Sequence, residues 1–130
     1  MRSLTILEKQ VLEALLSGHD EVLAILRQQA KQLGVVSREM TGAGFYTEFL
    51  VPPAAPRVPG DPTFKLGDVN GTADNVRHGL GFLLYVEGGV LSILEGYTYD
   101  EPWPEVVRGL VLRYASKEGR TLNLPASHRN

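Results

Sequence analysis

Apolar residues recur along this chain first at helical spacing and then at strand spacing. Leu7, Val11, Leu12, Leu15 and Leu16 line one face of a helix. Thr5 and Glu8 stand at capping-box spacing, where the hydroxyl accepts from the glutamate amide and the carboxylate accepts from the threonine amide. Gly18 predicts the stop. Asp20 caps a second helix with the stripe Val22, Leu23, Leu26, Ala30 and Leu33; Gly34 follows it, and Gln28, Gln29, Lys31 and Gln32 form its wet side. The short connection predicts an antiparallel helical hairpin over about residues 5–33.

From Val35 the period falls to two. VVSREM and FYTEFLV read as strands joined across Thr41–Gly44. In the second, Phe45, Thr47, Phe49 and Val51 point one way and Tyr46, Glu48 and Leu50 the other. Five of the eight prolines fall between Pro52 and Pro62, which predicts an extended crossover loop, because proline lacks the amide donor and fixes φ. Pro53 and Pro56 give one PxxP, a weak pattern beside that structural role. Phe64–Val69 reads as a short strand, Asn70-Gly71 as a hairpin turn and TADNV as a polar edge strand.

The strongest hairpin signal is GFLLYVEGGVLSILEGYTYDEPW, residues 81–103, with its turn at Gly88-Gly89. Regular pairing of Glu87 with Val90 puts Phe82, Leu84, Val86, Leu91 and Ile93 on a core face. Leu83, Tyr85, Glu87, Val90, Ser92 and Leu94 then share a mixed face. Beyond it, Pro104 suits a helix start, but Gly109 inside a helix costs about 1 kcal/mol. The run VVRGLVLRY is rich in β-branched and aromatic residues, so the expectation for 104–116 is a strand, then a turn at KEGR, a short strand TLNLP and a frayed tail. The fold expected is α+β, a single domain over residues 1–130, with the helical hairpin packed on a mostly antiparallel sheet of five to seven strands over about residues 35–124.

Composition narrows the function classes. A chain of 130 residues buries enough surface to fold without staples. It has no cysteine, which removes disulfides, thiolate zinc sites and cysteine nucleophiles and fits a reducing compartment. The N-terminal stretch carries Glu8 and Glu13 and lacks the features of a secretory signal, and no apolar run is long enough to span a bilayer; the expected location is the cytoplasm, with no membrane partner. A net charge of −2 and no basic-aromatic patch argue against nucleic acid.

Motifs for chemistry are sparse. His19, His78 and His128 have no metal-ligand spacing, so no metal is expected. No serine sits in a nucleophile elbow. Gly79-Leu80-Gly81 lacks the third glycine of a dinucleotide fingerprint, and the loop after Asp68 lacks the closing glutamate of a calcium site. No cofactor is therefore expected.

One segment stands out. Glu95, Tyr97, Tyr99, Asp100, Glu101, Trp103 and Glu105 combine four acids with three aromatics and no base. Tyrosine and tryptophan supply rigid contact area, acids steer a basic partner, and Pro102 and Pro104 restrict the loop. The bland alternative is that Trp103 plugs the core and the acids are solvated. Glu95, placed opposite Phe82 by regular pairing, is a candidate general acid or base, with His78 near the same hairpin end; Arg38, Arg108 and Arg113 are its candidate ion-pair partners. The leading expectation is a non-catalytic protein-binding domain, immunity-like or regulatory, that meets a protein with a basic surface through the 95–105 segment; homo-oligomerisation is the other association weighed. In size and charge it is similar in class to small acidic bacterial immunity proteins, with no shared motif. The alternative is a small enzyme or ligand-binding protein using Glu95 and His78 in a cleft beside the hairpin.

Overall fold

The computed structural model describes residues 2–116, 120 and 122–125. Helix α1 (Ile6–Leu15) begins where the capping box places it. Glu8 N donates to Thr5 Oγ1 at 3.1 Å, and Thr5 N donates to Glu8 Oε1 at 2.7 Å. Helix α2 (Glu21–Ala30) is capped by Asp20, whose carboxylate accepts from Val22 N at 2.7 Å. The strands are β1 (Gly34–Met40), β2 (Gly44–Leu50), β3 (Phe64–Leu66), β4 (Val69–Ala73), β5 (Val76–Glu87), β6 (Val90–Thr98) and β7 (Val111–Tyr114). All their pairings are antiparallel, in the order β1-β2-β6-β5-β4-β7. Strand β5 is long enough to pair with β4 along its first half and β3 along its second. This is the expected α+β architecture of a helical hairpin on an antiparallel sheet. No described helix is long and apolar enough to cross a membrane.

The helical hairpin covers one face of the sheet. Val11, Leu15, Val22 and Leu26 of the helices and Phe45, Phe49, Phe82, Leu84, Val86, Leu91 and Leu94 of the strands form one buried cluster. Glu8 is buried within it and ties α1 to the sheet. Arg38 of β1 donates to its carboxylate twice, from Nε at 2.9 Å and Nη2 at 2.6 Å, and Thr47 Oγ1 of β2 donates to Oε2. Burial pushes the Glu8 carboxyl up; the hydrogen bonds from Arg38, Thr47 and the Thr5 amide, with the Arg38 charge, outweigh it and hold the group below the usual carboxylate range.

The central hairpin departs from regular pairing. Both turn glycines have positive φ (59° at Gly88, 80° at Gly89), as a two-residue hairpin loop of this hand requires. Tyr85 faces Ile93, but Val86 faces Leu91, so Ser92 is an extra, bulged residue. The bulge moves Ile93 to the open face and buries Leu94, the reverse of the regular register. It also places Glu95 opposite Leu83 instead of Phe82. The shift accompanies a contact across the core. Pairing of β6 with β2 ends at Ile93, and the Leu91 amide beyond it donates to Gln29 Oε1 at 2.8 Å.

Gln29 itself is a correction to the amphipathic pattern, which put it on the wet side of α2. It is fully buried, and its amide donates to Pro56 O and Gly89 O, both at 2.9 Å. A buried amide facing three backbone groups is satisfied on every side. The proline-rich loop is thereby packed down, with Ala55 and Val58 buried and Val58 N donating to Gly89 O.

Three further expectations change. Asn70-Gly71 lies inside β4, and the turn falls at Asp74-Asn75. Gly71 fits closely there: a Cβ would stand 3.1 Å from Leu110 Cδ1, which would have to give slightly. The strand expected over 106–114 shortens to β7, because Gly109 adopts φ 64° and the loop before it is held by side-chain and backbone bonds to the β4–β5 turn: Asp74 N donates to Arg108 O, and Asn75 Nδ2 to Val106 O. Residues 122–125 form no strand. Most of the KEGR turn, Thr121 and the ASHRN tail lie outside the described residues. Arg120 grips Asp68 at 2.7 Å from Nε and 2.9 Å from Nη2, and donates to Leu15 O and Ser17 O at the end of α1.

Candidate functional site

With both helices on one side, the other side of the sheet carries four of the five tyrosines. Alternation along β2, β6 and β5 turns Tyr46, Tyr97 and Tyr85 outward, and Tyr99 follows β6. Glu95 sits among them. Its cross-strand neighbours are Tyr46 on β2 and Leu83 on β5. Tyr85 Oη donates to Glu95 Oε1 at 2.7 Å, and the Tyr46 phenol is near enough to feel the same carboxylate. Tyr97 packs edge-on against Tyr99, with ring centroids 5.5 Å apart. Its ring lies across β5 over Gly81, where a Cβ would come within 2.3 Å of Tyr97 Cζ. Glycine at 81 therefore lets the phenol lie down on the sheet.

The charges on this face are uneven. Glu39, Glu48 and Glu95 point outward from β1, β2 and β6, and Arg2, at the edge beside Val35, lines a cleft with Glu48. Arg38 is turned inward to Glu8. Lys65 stands further across, its Nζ 5.7 Å from the Tyr85 ring centre, and Arg113 lies opposite Asn70 at the far edge. Among the described residues no lysine or arginine pairs with Glu95, so neither Arg38, Arg108 nor Arg113 takes the role considered for it.

The carboxylate marks its neighbours. The hydrogen bond to Glu95, then burial, pushes the Tyr85 phenol up to about 12. The Tyr46 phenol is raised for the same first reason. Tyr97 is pushed up to about 12 chiefly by burial and then by Tyr99. Alkaline difference spectroscopy is expected to show two phenols ionising well above the ordinary value of about 10. Glu95→Gln should bring the Tyr85 midpoint down while leaving Tyr97 high; two unchanged late phenols would refute the Glu95 contact.

The 95–105 segment does not stay together. Glu95, Tyr97 and Tyr99 lie on the open face. Trp103 crosses to the helix side, half-buried, edge-on to Phe45 at 5.1 Å and Phe82 at 6.5 Å. It closes the end of the core, with Glu105 exposed beside it in a cleft with Leu7 and Met40. Asp100 is exposed at the turn, with φ 54°. The Glu101 carboxylate accepts from Arg77 N at 3.0 Å and His78 N at 2.7 Å, and these bonds lower its pKa. His78 is exposed and lines a polar cleft of about 620 Å³ with Asp74, Arg77 and Glu101. It lies five positions before Leu83, the partner of Glu95, which is roughly 16 Å along the strand. His78 and Glu95 therefore do not converge. The best-formed clefts among the described residues, of about 230–830 Å³, are lined elsewhere than by Glu95 and the open-face tyrosines.

Sequence reasoning missed Tyr46 and Tyr85 as members of this group. Alternation did place Tyr46 away from Phe45 and Tyr85 away from Leu84. The register of β2 on β6, which brings Tyr46 beside Glu95, has no local signal. Among the described residues no group of three or more histidine, aspartate or glutamate side chains is arranged to hold a metal ion. No protein-family model matches the chain, and searches of curated proteins and of solved structures find no significant match.

Proposed function

We propose that this protein is a binding domain whose open sheet face docks a protein with a basic surface. One observation carries the reading: a carboxylate set among outward tyrosines on the open face, with Glu39 and Glu48 on the neighbouring strands and, among the described residues, no lysine or arginine ion-paired to it. Tyrosines hold large contact area at small entropic cost, and this set is braced by hydrogen bonds and ring packing before any partner arrives. Acidic groups of one sign speed encounter with a basic partner. The outward, strand-borne placement of the tyrosines, away from the best-formed clefts, suits a docking surface. A small acidic domain of this kind suits a role in masking or regulating a basic protein, as an immunity protein does. Compared with the expectation from sequence, the contact surface shifts from the 95–105 loop to the face formed by Tyr46, Tyr85, Glu95, Tyr97 and Tyr99.

A photo-crosslinking residue at position 46, with a control at exposed His19, tests this in native lysate. The expected result is a species trapped from 46 and not from 19, competed away by unlabelled protein. Tyr97→Ala in the competitor should weaken that competition by about 2 kcal/mol or more, the scale of an interface anchor. Equal trapping from both positions, or competition indifferent to Tyr97→Ala, would remove the face as the docking surface.

A further inference from the structure

We infer that the group recognised by this face is a guanidinium: the partner inserts an arginine side chain over Glu95, between Tyr46 and Tyr85. This rests on the docking role proposed above and specifies its chemistry.

The argument starts from unused capacity. An ionised carboxylate offers about four acceptor positions. Glu95 spends one on the Tyr85 phenol, and the Tyr46 phenol stands on the neighbouring strand, so room remains for a bidentate donor. Tyr85 gives its phenolic proton to Glu95, which leaves its oxygen free to accept. Tyr46 and Glu95 are direct cross-strand partners, and Tyr85 lies on the next strand, two positions from the partner of Glu95. Three acceptors thus spread over β2, β6 and β5. A compact ammonium reaches a point; a planar guanidinium with five donors spans such a row.

The ring faces add to this. Tyr85 already attracts a cation from within the chain, since Lys65 Nζ stands 5.7 Å from its ring centre. Tyr97, laid flat over Gly81, offers a second aromatic plane next to Glu95. Arginine stacks on such planes where lysine does not. Glu39, beside Tyr46 in the next strand, supplies a second negative charge at the rim. Among the described residues no arginine pairs with Glu95, and Arg38 on β1 is turned to Glu8.

The test uses short peptides in which glycine alternates with arginine, lysine or citrulline, titrated into isotope-labelled protein at low ionic strength. The arginine peptide is expected to shift the amide signals of Tyr46, Glu95 and Tyr85 and to bind roughly tenfold tighter than the lysine peptide. The citrulline peptide, equal in shape but uncharged, should not bind. Glu95→Gln should reduce arginine-peptide affinity by about tenfold, the size of a lost charge-assisted contact. Because that side chain is on the surface and keeps an acceptor for Tyr85, the variant's unfolding midpoint should match that of the parent. Equal affinity for arginine and lysine peptides, shifts elsewhere on the molecule, or indifference to Glu95→Gln would overturn the inference. A partner still trapped at position 46 in the Glu95→Gln protein would sink the guanidinium site while leaving the docking face standing.

Discussion

Glu8→Gln is expected to cost about 3 kcal/mol of folding stability, the scale seen when one partner of a buried ion pair is removed. Glu8 is only 2% exposed, and its partner Arg38 has a side chain 23% exposed, so the arginine left behind is poorly served by water. The same substitution loosens the α1 cap, since the carboxylate also accepts from Thr5 N. Replacing both Glu8 and Arg38 by apolar residues of similar size should cost less than the two single losses together, because no uncompensated charge remains. Urea denaturation of the four proteins measures this cycle; strictly additive losses would mean the pair is not coupled.

The acid limb gives an independent reading. The folded-state pKa of Glu8 is depressed, so on acidification the unfolded chain takes up its proton first. The contribution is fully present above the ordinary carboxyl value of about 4.3 and is lost as pH falls through the lowered folded value. Glu101 is depressed by its backbone bonds and acts in the same sense. Glu8→Gln should therefore flatten, and not abolish, the fall in stability below about pH 4. An unchanged acid limb would mean that Glu8 is not the ionised group the geometry describes.

Leu94→Ala and Leu84→Ala should each cost roughly 2–5 kcal/mol, while Ile93→Ala should cost under about 1 kcal/mol. Leu84 and Leu94 are cross-strand partners with no exposed surface, so either truncation leaves a cavity the helices cannot readily fill. Ile93 is apolar and adjacent in sequence, yet the Ser92 bulge turns it to the open face, where truncation removes little buried area. Regular pairing assigns the opposite ranking, because a one-residue shift exchanges the faces. Denaturant midpoints for the three variants decide between the registers, and a loss at Ile93 equal to that at Leu94 would exclude the bulge.

The parts legible in the sequence share a physical property: their causes are local. Thr5 and Glu8 announce the first helix because both halves of the cap lie within one turn. Gly88-Gly89 announces its turn because only residues tolerant of positive φ fit there. Phe45, Thr47 and Phe49 alternate as a half-buried strand should. The bulge at Ser92 was illegible because it accompanies a contact with Gln29, whose helical position reads as wet until the proline loop and the hairpin are folded against it. The tyrosine face was half legible. Glu95, Tyr97 and Tyr99 stand together in the chain, but Tyr46 and Tyr85 join only through strand register. Trp103 left the group because Phe45 and Phe82 offer it an apolar seat.

The reach of Gln29 also sets an order of events for the nascent fold. The capped helices and the β5–β6 hairpin form from near neighbours and close cheaply. The bond from Leu91 to Gln29 joins groups 62 residues apart, and the β2–β6 seam closes a comparably large loop that contains the proline-rich segment. Such closures come late, because chain entropy is lost before the contacts reward it. Until then β6 presents an unpaired edge beside Leu91 and Leu94, flanked by apolar Leu83 and Ile93. That interval, more than the finished structure, is when this chain is most exposed to pairing with the wrong strand.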